Sequence, residues 1–120
     1  MSSLDIGEGE VVVDGNRIHV GAPVLDARIT DSVVLVLIDP DSYLNDPDYR
    51  TKRRQGLSAV RNLRAFSLKG AKLWEAEMPE EADYYHKIVS TDPIEVASFS
   101  SFNCRINPKN GKIVWRQFTK

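Results

Sequence analysis

The chain has 120 residues, with 16 Lys and Arg against 17 Asp and Glu, for a net charge of −1. That length sets a single domain with room for a real core. The balanced charge removes a bulk electrostatic case for nucleic acid or membrane binding, and the single cysteine, Cys104, excludes an internal disulfide and fits a reducing compartment.

Residues 1–8 are polar, contain Gly7, and lack the basic start and apolar core of a secretory signal, so they are expected to be flexible. Glu10-Val11-Val12-Val13 is β-branched and runs into Asp14-Gly15-Asn16. Arg17-Ile18-His19-Val20 follows with alternating polarity, and Asp-Gly between two such runs signals a hairpin. Gly21-Ala22-Pro23 breaks the chain before a third strand, Val24 to Thr30. Val33 to Ile38 is unbroken apolar, which predicts a strand buried on both faces. Its six residues fall far short of the roughly 20 that span a membrane, and the cytoplasm is the expected location.

Asp39-Pro40-Asp41 ends that strand. Residues 41–58 then read as one long charged loop, with a short helical turn near Gln55 to Arg61 as an option. Strands return at Asn62 to Leu68 and Ala71 to Met78, around Lys69-Gly70. Pro79-Glu80-Glu81-Ala82-Asp83 is an acidic connector. Tyr84 to Ser90 and Ile94 to Ser100 flank Thr91-Asp92-Pro93. Phe102 to Ile106 and Lys112 to Phe118 flank Asn107-Pro108-Lys109-Asn110-Gly111, a turn that asks for a left-handed Gly. The total is nine or ten antiparallel strands with almost no helical periodicity, an all-β domain.

Two of these hairpins repeat. Arg64 to Trp74 and Arg105 to Trp115 both run strand, Gly turn, strand, and reach a Trp four residues after the Gly. Both the Gly pair and the Trp pair lie 41 residues apart, within the period of a four-stranded propeller blade. A closed propeller takes at least about four blades of about 40 residues. This chain must instead form a blade-like twisted sheet, a sandwich or a half-open barrel, or oligomerise.

Reactive chemistry is thinly represented. His19 and His86 stand alone in separate strands, with no H-x-x-x-H, H-E-x-x-H or Cys/His pair to make a zinc ligand set. Cys104 alternates with Phe102 and Ile106, which suits a small buried hydrophobe better than a nucleophile. An EF-hand counted from Asp39 fails, because its sixth and twelfth positions are Leu44 and Arg50. Turn-forming Asp is the better reading. Arg50-Thr51-Lys52-Arg53-Arg54, beside Tyr43 and Tyr49, suits a solvated or protein-contacting loop better than an RNA groove, because Asp46 and Asp48 dilute its field. Trp74 and Trp115 read as blade-packing aromatics.

The stretch from Asn62 to Lys120 resembles a group of small all-β bacterial proteins. The shared elements are Asn62, Ala65, Phe66, Gly70, Leu73, Trp74, Pro79, Tyr84, Phe102, Asn107, Pro108, Gly111, Lys112, Ile113, Phe118 and Lys120. Ile38-Asp39-Pro40 is similar as well. Several such proteins accompany polymorphic toxins, including those of contact-dependent growth inhibition. The resemblance implies an immunity protein that binds a toxin's C-terminal domain, a nuclease, and occludes its active site, with no catalysis and no cofactor. The hairpins are also similar to those of pyrroloquinoline-quinone enzymes, but that cofactor needs a closed ring that one such chain cannot form. The expected partner contacts are Asp46, Asp48, Arg50, Lys52, Arg53 and Arg54 of the loop and Glu80, Glu81 and Asp83 of the connector, the acids suiting a basic cleft. The alternative functions are a nucleic-acid-binding module using the basic run 50–54, or a small hydrolase in which His86 or Cys104 meets carboxylates.

Overall fold

The computed structural model of the chain describes residues 3–30, 33–41, 51, 61–80 and 83–119. Eleven strands run through them: β1 (Leu4–Gly7), β2 (Glu10–Val13), β3 (Asn16–His19), β4 (Val24–Thr30), β5 (Val33–Ile38), β6 (Leu63–Ser67), β7 (Lys72–Glu75), β8 (Tyr85–Thr91), β9 (Ile94–Ser98), β10 (Phe102–Ile106) and β11 (Ile113–Phe118). All pair antiparallel with chain neighbours, giving three meanders: β1-β2-β3, β4-β5-β6-β7 and β8-β9-β10-β11. The all-β class and the blade-like hairpins are therefore as the sequence predicts. The strand count rises to eleven because Leu4–Gly7, expected to be flexible, pairs with β2 from Leu4↔Val13 to Gly7↔Glu10.

The three sheets stack face to face. Val11, Val13, Ile18 and Val20 of the first sheet pack on Val34, Val36, Ile38 and Phe66 of the second. The opposite face of the second sheet presents Leu35, Leu37, Leu63, Ala65 and Trp74 to Tyr85, Ile88, Ile94, Val96, Cys104 and Ile106 of the third. Strand β5 thus feeds two cores, which is why its sequence does not alternate. Val34 through Ile38 are each at most 1% exposed. At about 1.5–3 kcal/mol per buried aliphatic side chain, this strand is the largest single source of apolar burial.

The turns carry the chemistry expected of them. Asp14 and Gly15 both take positive φ, 50° and 86°, the pattern of a two-residue hairpin whose twist matches its strands. Gly111 closes the 107–111 turn at φ 76°, where its N–H donates to Asn107 O at 2.8 Å.

The internal repeat is real in three dimensions. Each copy is the last hairpin of a four-stranded meander. In each, a bulged residue directly precedes the Trp: Ala65 faces Trp74 but Phe66 faces Lys72, and Arg105 faces Trp115 but Ile106 faces Ile113. The bulged residues, Leu73 and Val114, point outward. The incoming strands match at an offset of 40 and the outgoing ones at 41, because the second turn is one residue longer.

Candidate functional site

Antiparallel meanders sort the loops onto two ends of the stack. The short Gly turns at Gly15, Gly70 and Gly111 lie at one end. The opposite end gathers the β3–β4 turn, Ile38 and Asn62, the last residues of the β7–β8 connector and the β9–β10 turn, whereas the connector's first residues lie beside the Gly111 turn, where Glu77 N donates to Gly111 O at 2.9 Å. Ile38 and Asn62, which bound the charged stretch, and Tyr85, which ends the acidic connector, meet at this same end.

Asn62 joins them. It is fully buried. Its Nδ2 donates to Ile38 O (2.9 Å) and Tyr85 O (2.6 Å), and its Oδ1 accepts from Tyr85 N (3.0 Å). Its backbone O accepts from Ile38 N at 2.7 Å. The side chain therefore satisfies backbone groups at the end of β5 and the start of β8, which would otherwise be buried without partners.

The connector is similarly fixed. Tyr85 Oη donates to Glu77 O at 2.6 Å, Ile113 N donates to Glu77 Oε1 at 3.0 Å, and Arg116 Nη1 donates to Pro79 O at 2.7 Å. Glu77–Pro79 thereby runs beside β11, and an open groove of about 440 Å³ lies between them. Beyond it, Tyr84 and Phe99 stack at 5.0 Å with an 18° interplanar angle, although Phe99 is 65% exposed. Phe118, also exposed, packs against Phe102, which carries the Arg116 guanidinium on its ring.

The residues singled out by sequence divide. Asp46, Asp48, Arg50, Lys52, Arg53, Arg54 and Glu81 lie outside the described residues, as does the suggested helical turn apart from Arg61. Of the 41–58 stretch, Asp41 and Thr51 are described, and both are helical. Asp39 Oδ1 accepts from Asp41 N at 3.0 Å, so these acids do form a turn. Glu80 is exposed. Asp83 is a correction: it is 3% exposed rather than on the surface. Its Oδ1 accepts from Tyr84 N and Ser100 N, tying the connector to the β9–β10 turn, while Oδ2 is buried without a hydrogen bond.

The groups able to do chemistry are kept apart or kept neutral. His19 and His86 are exposed on different sheets. Among the described residues no group of three His, Cys, Asp or Glu is placed to hold a metal ion. Cys104 is buried, and that burial pushes its thiol up to about 11, with Asp83 and Glu77 adding to the rise against the Tyr85 hydrogen bond and Arg116. A thiol held protonated is a poor nucleophile. Burial likewise raises the Tyr85 hydroxyl. No helix of the described residues is long and apolar enough to cross a membrane.

Sequence reasoning missed Asn62 as a clamp and the Tyr84–Phe99 stack. Asn directly before an apolar strand was the available sign of the first; the second depends on a tertiary meeting that no local pattern encodes.

A family model described as a domain of unknown function (DUF7957) matches residues 1–118. No curated protein matches this sequence. Among solved structures, the chain is similar to the one titled as the crystal structure of the computationally designed Ika8 protein. The TM-score is 0.54 at 10% identity, over 98% of this chain and 36% of that one. The chain thus spans well under two thirds of that longer chain, and likeness at this identity speaks for the fold alone.

Proposed function

This chain belongs to the DUF7957 family, and on that premise we propose that it is an immunity-type binding module. It covers the active site of a cognate bacterial toxin domain, a nuclease of a contact-dependent growth inhibition system, in the cytoplasm. The observation that carries the reading is the convergence at one end of the stack. Asn62 ties Ile38, where the charged 39–61 segment departs, to Tyr85, where the Glu80 connector ends, with half-buried Tyr84 and exposed Phe99 stacked beside them. Exposed aromatics next to charge on a rigid frame suit a protein interface. The buried, protonated Cys104 supports action by binding in place of a thiol reaction.

Acidic side chains at this end suit a nuclease's basic cleft. With Asp83 committed to the frame, Glu80 and Glu81 remain from the connector. Co-expression with a candidate toxin's C-terminal domain should restore growth to cells that domain otherwise arrests. The Glu80→Lys, Glu81→Lys double variant should weaken toxin binding by at least about tenfold while folding normally. An unchanged dissociation constant removes these residues from the interface. A gel shift that falls steeply with salt would instead favour nucleic acid held by Arg50, Lys52, Arg53 and Arg54.

A further inference from the structure

The stacking follows one rule, applied twice. The side chain that follows a Gly turn on one sheet seats on the Gly turn of the next. Ile18, three residues after Gly15, lies where a Cβ on Gly70 would meet its Cγ1 at 3.6 Å. Trp74, four residues after Gly70, lies so close to the third sheet's turn that a Cβ on Gly111 would meet its Cε3 at 2.5 Å. Trp74 Nε1 also donates to Pro108 O of that turn at 2.9 Å.

The rule leaves one half-joint unfilled at each end. Trp115, four residues after Gly111, repeats Trp74 in sequence and in register. It is 38% exposed on the outer face of the third sheet, with the Arg105 guanidinium 4.6 Å from its ring and Glu95 pairing with that arginine. At the other end, a Cβ on Gly15 would meet nothing within 4 Å. Among the described residues, one end offers a ring that meets no Gly turn, and the other a Gly that no side chain covers.

The two ends also carry opposite charge. Residues 3–20 hold Asp5, Glu8, Glu10 and Asp14 against Arg17 alone. The third sheet, residues 85–118, holds Lys87, Arg105, Lys109, Lys112 and Arg116 against Asp92 and Glu95. Complementary charge on two different surfaces favours head-to-tail association over contact between like ends.

We propose that two copies of this chain join head to tail into a closed six-sheet ring, Trp115 of each seating on the Asp14–Gly15 turn of the other. The count selects two copies. Closed rings of blade-like sheets hold about four to eight. The described residues of one copy form three sheets, so two copies bring six, whereas three copies would exceed that range. Both outer faces are largely polar, with Glu10, Arg17 and His19 on one and Glu95, Asn103, Arg105 and Gln117 on the other. The joint therefore rests on one aromatic and on charge, which makes it reversible and weakened by salt. It uses Trp115 and Gly15 and none of Ile38, Asn62 or Glu80, so toxin binding and pairing test separately.

Sedimentation of residues 1–120 over a micromolar to millimolar range tests the proposal. The expected species is twice the chain mass at low salt, dissociating as NaCl is raised. Trp115→Ala should weaken pairing by at least about 30-fold. Gly15→Asn is the matching change at the other end. Asn tolerates positive φ, and its side chain enters open space in the single chain but fills the seat of the ring. Both variants should melt close to the parent. Neither should pair with itself, yet mixing the two should restore a two-copy species, because one intact joint remains in the mixed pair. A parent that stays single throughout, a variant that still pairs with itself, open higher polymers, or a mixture that fails to pair would each overturn the proposal.

Discussion

The β6–β7 and β10–β11 hairpins share a Gly turn, a bulge and a Trp, yet their two rings live in different surroundings. Trp74 is 7% exposed and hydrogen-bonded; Trp115 is 38% exposed beneath an arginine. The difference lies outside the hairpins. The first has a sheet beyond it, and the second, among the described residues, has none. Equivalent residues in equivalent backbone thus differ by the presence of a neighbour. The partners facing the rings follow suit: Ala65 opposite Trp74 and Arg105 opposite Trp115. An internal repeat conserves the joint's geometry, and the chemistry on its face reports whether the joint is dry.

The sharpest way to break this comparison is to truncate both rings. Trp74→Ala should cost about 3–5 kcal/mol, the range for emptying a buried aromatic site. Trp115→Ala should cost about 1 kcal/mol or less, the worth of an exposed cation–π contact, at concentrations where the chain is single. Urea denaturation of the two variants compares them directly, and equal losses would show that the third sheet's outer face is covered within one chain. The glycines should divide the same way but less widely. Gly111→Ala combines positive φ with a collision against the Trp74 ring, and should lose about 3 kcal/mol. Gly70→Ala meets Ile18 only at ordinary contact distance, so the left-handed backbone alone should cost about 1–2 kcal/mol. Thermal melts should rank them in that order.

The smallest effect concerns the rung beneath. Cys104 occupies in the second hairpin the place that Arg64 holds in the first, where Arg64 pairs with Glu75. Its folded-state pKa of about 11 lies above the ordinary 9.0, so the folded form binds the proton more tightly. That stabilisation is complete below pH 9 and lost as pH rises towards 11. A thiol reagent at pH 8 should leave Cys104 unlabelled until denaturant is added, and Cys104→Ala should flatten the alkaline loss measured by melting. Rapid labelling of the native chain would show that the core between the second and third sheets opens readily.

Much of the frame was legible in the sequence because local rules governed it. Asp14-Gly15 could only be a tight hairpin, and the unbroken Val33–Ile38 run could only be a strand with apolar matter on both sides. The 41-residue spacing of Gly and Trp marked the repeated hairpin before any tertiary fact was known. Other features escaped. Leu4–Gly7 looked frayed because a short edge strand with one half-buried residue has almost no hydrophobic signature. Asp83 looked like surface acid because its burial depends on two backbone amides, one of them 17 residues away. The candidate site was legible only as two charged segments. Their meeting is the product of strand direction in two sheets, which composition does not encode.

Asn62 has one more consequence. By tying Ile38 to Tyr85 it brings the entry and exit of the 39–61 stretch within a single hydrogen bond of each other. The closure entropy of whatever lies between is then nearly independent of its length and content. Replacing the residues between Asp39 and Arg61 by a segment of different length is therefore expected to leave the sheet pairing intact, with a denaturation midpoint within about 1 kcal/mol of the parent's as the check.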